Sequence, residues 1–135
     1  MIERLAAAIF LLAFGVIAYR LMIARQIKRT SALASTDPLL SGLKPGVPTI
    51  LYFTTPTCIP CKTQQTPALK RLQDELGDAI QIVRVDACED EAAAQRWGVI
   101  GAPTTFVLDG HGATLAINHG VAETAKLRQQ LRGTA

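Results

Sequence analysis

The chain has 135 residues, 49% hydrophobic and 19% charged, with a net charge of +3; that length leaves room for one domain and little more. The positive charge is local: Arg4, Arg20, Arg25, Lys28 and Arg29 stand against a single acid, Glu3, in the first 29 residues, which leaves nine basic and ten acidic residues beyond them. A near-neutral remainder excludes nucleic-acid binding through a basic patch.

The mean hydropathy of +0.23 is raised by one segment near the start. Residues 5–19 are continuously apolar, and Leu21 to Ala24 extend the run past Arg20. About 20 such residues cross a bilayer as a helix. Arg20 fits if it snorkels to an interface marked by Tyr19. A cleavable signal is the alternative, with Ala32-Leu33-Ala34 as a small-residue site. However, Arg25, Lys28 and Arg29 separate that site from the apolar run, so an uncleaved single-pass anchor through residues 5–24 is expected. A buried core helix is disfavoured because no polar face accompanies the apolar one. The basic cluster suits anionic lipid or a topology signal, and equally the solvated start of a linker.

Residues 30–46 are rich in Ser, Thr, Pro and Gly and read as a linker with a short helical turn near Leu39-Leu40. The expected organisation is an anchor and basic flank over 1–29, a linker over 30–46 and a folded domain over 47–135. Thr49–Thr54 reads as a buried strand. Ile59 to Leu76 reads as a helix with Leu69, Leu72 and Leu76 on one face and Gly77 as its stop. Pro67 should kink it. A strand over Ile80–Asp86 and a short helix over Glu89–Trp97, stopped by Gly98, follow. Strands Thr104–Leu108 and Ala113–Asn118 form a hairpin turned by Asp109-Gly110. Ala122–Leu131 is a closing amphipathic helix. The pattern is one α/β layer fold: a βαβ unit, then a hairpin and a helix.

Chemistry concentrates at Cys58-Ile59-Pro60-Cys61, between the first strand and the first helix of the domain. Two thiols three residues apart in a first helical turn can close a small disulfide ring. Free N–H groups and the helix dipole there stabilise a thiolate at Cys58 and make it nucleophilic. Pro60 fits because the first turn does not need its missing N–H. Zinc competes poorly. A structural site takes four ligands, and the remaining candidates, Cys88, His111 and His119, form no second CxxC or HxxxH. An inert pair is the bland alternative. Cys88, alone beyond the second strand, reads as a small buried hydrophobe, with a regulatory or intermolecular thiol as the other reading. His111 and His119 read as surface or turn residues.

Several segments together resemble the thioredoxin family. Phe53 precedes the Cys58-Ile59-Pro60-Cys61-Lys62 motif. Val83-Arg84-Val85-Asp86 is similar to the family's central strand. Trp97-Gly98-Val99-Ile100-Gly101-Ala102-Pro103-Thr104 resembles its segment before the next strand, and Phe106 to Gly110 and Gly120 follow the same pattern. The resemblance runs from about Val47 to Arg132. It implies a thioredoxin-like fold behind a transmembrane helix, with the family's early strand and helix shortened or missing. It also implies Cys58 as the attacking thiol, Cys61 as the resolving thiol and a cis Pro103. Ala102 and Pro103, with Thr57, Ile59 and Pro60, would contact an extended substrate segment, as in strand-like peptide recognition.

The chain departs from the family at five points. Thr57 stands for the usual tryptophan, Tyr52 for the buried acid beneath the motif, Arg84 for the nearby lysine and Ile59-Pro60 for Gly-Pro. The helix-kinking proline, Pro67, comes one residue late. Without the carboxylate, water, Tyr52 or Thr57 must take the proton from the resolving thiol.

The expected activity is exchange of disulfides with protein substrates, with a redox donor as second partner and no organic cofactor or metal needed. The non-catalytic alternative is an anchored binding module for a protein or a metal ion. A monomer is expected. The charge bias favours the cytoplasmic face for the domain, whereas analogy with tethered bacterial members favours the outside.

Overall fold

β1 (Thr49–Thr54) is buried along its whole length, as its unbroken apolar and β-branched run requires in a central strand. The computed structural model describes residues 1–133. β1 lies between β2 (Gln81–Asp86), parallel to it, and β3 (Thr104–Leu108), antiparallel to it. β4 (Thr114–His119) pairs antiparallel with β3, giving the order β2-β1-β3-β4. The helices are α1 (Ile2–Ala34), α2 (Thr66–Leu76), α3 (Glu91–Trp97) and α4 (Thr124–Arg132). This is the thioredoxin fold that the sequence pattern implied.

Strand alternation sorts the core into two layers. Ile50, Tyr52 and Val107 meet Leu69, Leu72, Leu127 and Leu131 of α2 and α4 on one face. Leu51, Phe53, Phe106 and Leu108 meet Ala93 and Trp97 of α3 on the other. Phe106 takes both Phe53 and Trp97 edge-on, at centroid distances of 5.7 and 5.2 Å, the arrangement ring quadrupoles favour.

Element boundaries differ from the expected ones by a few residues. α3 begins later, because Asp90 caps it by accepting the Ala93 N–H at 3.0 Å. Gly98 ends it in the left-handed region at φ 73°, where glycine has no Cβ penalty. At the β3–β4 turn, Gly110 carries no side chain because a Cβ there would lie 2.6 Å from the Gly46 carbonyl oxygen.

The stretch read as a linker is packed. α1 runs unbroken to Ala34, and its last turns lie on β4 and α3. The Thr30 hydroxyl is buried 2.7 Å from that of Thr114, and the Thr114 N–H donates to Ser31 Oγ at 2.8 Å. Leu33, Ala34, Leu39 and Leu40 pack on the α3 face of the sheet. Pro38–Leu40 forms the expected helical turn, as a 3-10 turn capped by Asp37. Composition misled here because Ser and Thr also serve as packed hydrogen-bonding residues. The last turns of α1 thus cover the sheet face that α3 leaves open.

The first part of α1 makes no such contacts. Its most apolar window has a mean hydropathy of 2.2 and none of it is buried. Ile9, Phe10, Leu11, Leu12 and Phe14 are all exposed. By length and composition this helix suffices to cross a membrane.

Candidate functional site

The redox motif stands where β1 ends and the α2 column begins. The chain turns at Pro56-Thr57, with the Cys58 N–H donating to Thr55 O, and becomes helical from Ile59. Cys58 and Cys61 are joined as a disulfide with their Cα atoms 5.3 Å apart. Cys58 is 8% exposed and Cys61 1%. The Cys61 N–H donates to Cys58 Sγ at 3.2 Å, so the first helical turn directs a backbone donor at the outer sulfur. On reduction the same donor meets a thiolate, which such contacts favour.

The sequence placed a kink at Pro67; the irregularity observed is a wider turn just before it. Residues Cys61–Gln65 form a π turn, closed by the Thr66 N–H to the Cys61 carbonyl. A π turn absorbs one inserted residue in a helical column, which matches the late placement of Pro67. Pro67 itself sits in the first turn of α2, where its missing N–H costs least.

Ala102–Pro103 is the cis peptide bond expected. Pro103 is buried, and Ala102 packs on the apolar cluster that holds Cys58 and Cys61. The Gly120 N–H donates to the Pro103 carbonyl at 2.9 Å, and the Thr104 hydroxyl donates to Gly101 O at 2.6 Å. Thr57, Ile59 and Pro60 are exposed around the disulfide, Ile59 at 70%. Beside Ala102 runs a groove of about 300 Å³ lined by Thr55, Ala87, Val99, Ile100 and Gly101. The seven residues singled out in the sequence thus lie at one end of the sheet.

Tyr52 lies beneath the motif, buried, with its hydroxyl 3.5 Å from the Cys61 carbonyl and 3.4 Å from Thr66 Oγ1. These long contacts tie the phenol to the Cys61 side of the pair. Arg84 pairs with Tyr52 in register, but on the edge strand it is exposed.

Two residues the sequence reading passed over hold the site together. Gln65 is wholly buried. Its amide accepts the Ala122 N–H at 2.8 Å and donates to the Ala122 carbonyl at 3.0 Å. It thereby joins the motif column to the loop after β4, whose Gly120 holds Pro103. The signal was present: Gln65 falls in the stripe with Leu69, Leu72 and Leu76, where a polar residue needs a buried partner. The second is Asp37. Its carboxylate accepts from Arg96 Nε, Trp97 Nε1 and the Leu39 N–H, each at 3.0 Å. Burial alone would raise its pKa, but the bonds from Arg96, Leu39 and Trp97 hold it below the usual carboxylate value. Asp37 fixes the start of the segment that leads from Trp97 to Pro103.

Cys88 differs from the expected buried hydrophobe. It is an exposed free thiol in the turn after β2, because β2 ends at Asp86, whose carboxylate accepts the Cys88 N–H at 2.8 Å. His111 and His119 are exposed as expected. Among the described residues, no three His, Cys, Asp or Glu side chains converge as a metal site.

The thioredoxin family's sequence profile matches residues 42–133. Thioredoxin of Bacillus subtilis is 41% identical over 56 residues, which is 42% of this chain and 53% of that protein. The chain thus spans about half the length of that relative. Thioredoxin of Rhodospirillum rubrum is 33% identical over 76 residues, covering 56% of this chain and 72% of the relative. Among solved structures, thioredoxin-2 of the malaria parasite superposes with a TM-score of 0.63 at 23% identity, over 70% of this chain and 90% of that one.

Proposed function

Because the chain belongs to the thioredoxin family, we propose that it is a membrane-anchored thiol–disulfide oxidoreductase acting on protein substrates through Cys58 and Cys61. The observation that carries the reading is the Cys61 N–H aimed at Cys58 Sγ in the first helical turn, on the more exposed of the two sulfurs. Cys58 as thiolate attacks a substrate disulfide, and one substrate sulfur leaves as thiolate. Cys61 then attacks Cys58 Sγ and frees the second substrate sulfur, leaving the Cys58–Cys61 disulfide. The reverse sequence oxidises a substrate dithiol. Ala102 and Pro103, with Thr57, Ile59 and Pro60, form the surface against which the mixed disulfide rests.

The anchor reading is supported by α1 itself. Its exposed apolar turns have no cover among the described residues, while its last turns are built into the domain. Cleavage after Ala34 would remove the buried Thr30 and the Leu33 contacts. The charge bias favours the cytoplasmic face for the domain; alkaline phosphatase fused after Ala135 is then expected to stay inactive, and a highly active fusion would put the domain outside.

The enzymatic reading is tested by dithiothreitol-driven insulin reduction with the full chain in detergent. Acceleration by the natural sequence and its loss in Cys58→Ser are expected. Equal rates for the two proteins would refute it.

A further inference from the structure

The direction in which α1 leaves the domain decides where the disulfide stands relative to a membrane. As α1 is followed back from Ala34, its contacts move along β4 in order. Ala34 Cβ lies 3.4 Å from where a Cβ on Gly112 would be. Thr30 meets Thr114. Gln26 Oε1 lies 3.4 Å from His119 Nε2, and its Nε2 is 3.3 Å from the Cβ position of Gly98. The helix therefore runs antiparallel to β4, and its apolar portion continues past the end of the sheet where β4 finishes.

That end is the redox end. His119 pairs with Thr104, and Thr104 with Phe53, five residues before Cys58. Gly120 holds the Pro103 carbonyl. The next turns of α1, with Tyr19 and Met22, form a groove of about 780 Å³ with Trp97, Gly98 and His119, and Ile100 lies on its wall. Ile100 is 89% exposed and stands two residues before Ala102.

The scale follows from helix geometry. Residues 5–24 at ~1.5 Å per residue span ~30 Å, the hydrocarbon thickness of a bilayer. Gln26 then emerges within about one turn of that boundary. The β3–β4 turn at His111 lies a further strand length away, ~17–20 Å. Arg25, Lys28 and Arg29, all exposed, fall at headgroup depth, where anionic lipid attracts them.

We propose that the Cys58–Cys61 pair faces the bilayer, and that its substrates are cysteine pairs at the membrane–water interface of integral membrane proteins. The inference rests on the anchored-oxidoreductase reading above. The exchange is unchanged in chemistry. The Cys58 thiolate attacks one partner sulfur, the other leaves with the bonding electrons, and Cys61 completes the transfer. Two electrons and two protons pass from the dithiol to the partner, or back in the reverse direction.

The test uses the full chain in phosphatidylcholine vesicles. In a background with Cys58, Cys61 and Cys88 changed to Ser, single cysteines are placed by Ile100→Cys or His111→Cys and labelled with a fluorophore. A spin label on the lipid headgroup is expected to quench the label at 100 several-fold more than the label at 111. Equal quenching, or stronger quenching at 111, would overturn the orientation.

Activity provides the second readout. The natural chain, kept reduced by dithiothreitol, is given insulin in the water phase or a disulfide linked to a lipid headgroup. It is expected to favour the lipid-linked disulfide. A flexible Gly/Ser insert of ~12 residues between Ala24 and Arg25 frees the domain to turn and is expected to raise insulin reduction several-fold. Insulin reduction at the same rate with and without the insert would overturn the proposal while leaving the oxidoreductase reading intact. Failure of both proteins on both substrates would overturn that reading, and this one with it.

Discussion

Replacing Asp37 tests whether the segment before β1 is part of the folded unit. The side chain is fully shielded, whereas that of its partner Arg96 is 39% exposed. Asp37→Ala removes the cap on the Pro38–Leu40 turn, worth about 1 kcal/mol. It also orphans the Trp97 indole N–H, on a residue with no exposed surface, which costs roughly 1–3 kcal/mol. Arg96 turns to solvent at little cost. The sum is about 2–4 kcal/mol, roughly 10–20 °C in Tm for a domain of this size. The assay is urea unfolding of the full chain in detergent, followed by circular dichroism. A loss below about 0.5 kcal/mol, the range of ordinary surface substitutions, would refute the reasoning. The pH dependence has a fixed sign. Asp37 has a folded pKa below its unfolded one. Its contribution is therefore complete above the unfolded value of about 3.9 and fades as pH falls through the folded value. Asp37→Asn is expected to flatten the acid side of the stability profile; an unchanged acid slope would show that the carboxylate carries no linkage.

Two further substitutions probe the site itself. Gln65→Leu strands the N–H and carbonyl of Ala122, and a loss of roughly 2–4 kcal/mol in unfolding free energy is expected; an unchanged unfolding midpoint would mean that loop is held by other contacts. Tyr52→Asp places a carboxylate below Cys61, where the natural side chain offers only a hydroxyl. Stopped-flow release of a mixed disulfide is expected to speed by about tenfold or more, at a stability cost of at least about 2 kcal/mol for the buried carboxyl. A rate that is unchanged or slower would show that proton removal does not pass through this position.

Local chemistry made the site legible. The disulfide pair and the strand leading to it are written in adjacent residues with fixed turn and helix-start preferences, and the cis Pro103 came from the family resemblance. Gly98, Asp109 and Gly110 announced their turns for the same reason. What stayed hidden depends on partners distant in sequence. Asp37 meets Arg96 and Trp97, Thr30 meets Thr114, and Gln65 meets Ala122. Each polar residue looks like linker or surface until its partner is known. Cys88 failed differently: the strand ends at Asp86 as read, but the turn just beyond it, held by the Asp86 carboxylate, leaves the thiol in solvent rather than in the core.

The packed end of α1 changes what the apolar helix means. A membrane helix joined by a flexible linker would fix only the distance of a redox centre from the bilayer. Here the same unbroken helix carries the exposed apolar turns and the residues that close the second core layer, Leu33 and Ala34 among them. Its direction is therefore inherited by the domain. Each residue added to a helix spins whatever follows by about 100° about its axis and advances it by ~1.5 Å. In the proposed anchor the length between Ala24 and Gln26 therefore sets how far the domain stands from the lipid, while the antiparallel packing of α1 on β4 sets which end faces it. With Gln26 against His119 and Thr30 against Thr114, the end that the proposed anchor turns toward the lipid is the one carrying Ile100, Pro103 and the disulfide. The linker-like composition of residues 30–46 concealed this, because the coupling lies in side-chain contacts of a helix whose sequence declares only its apolar half.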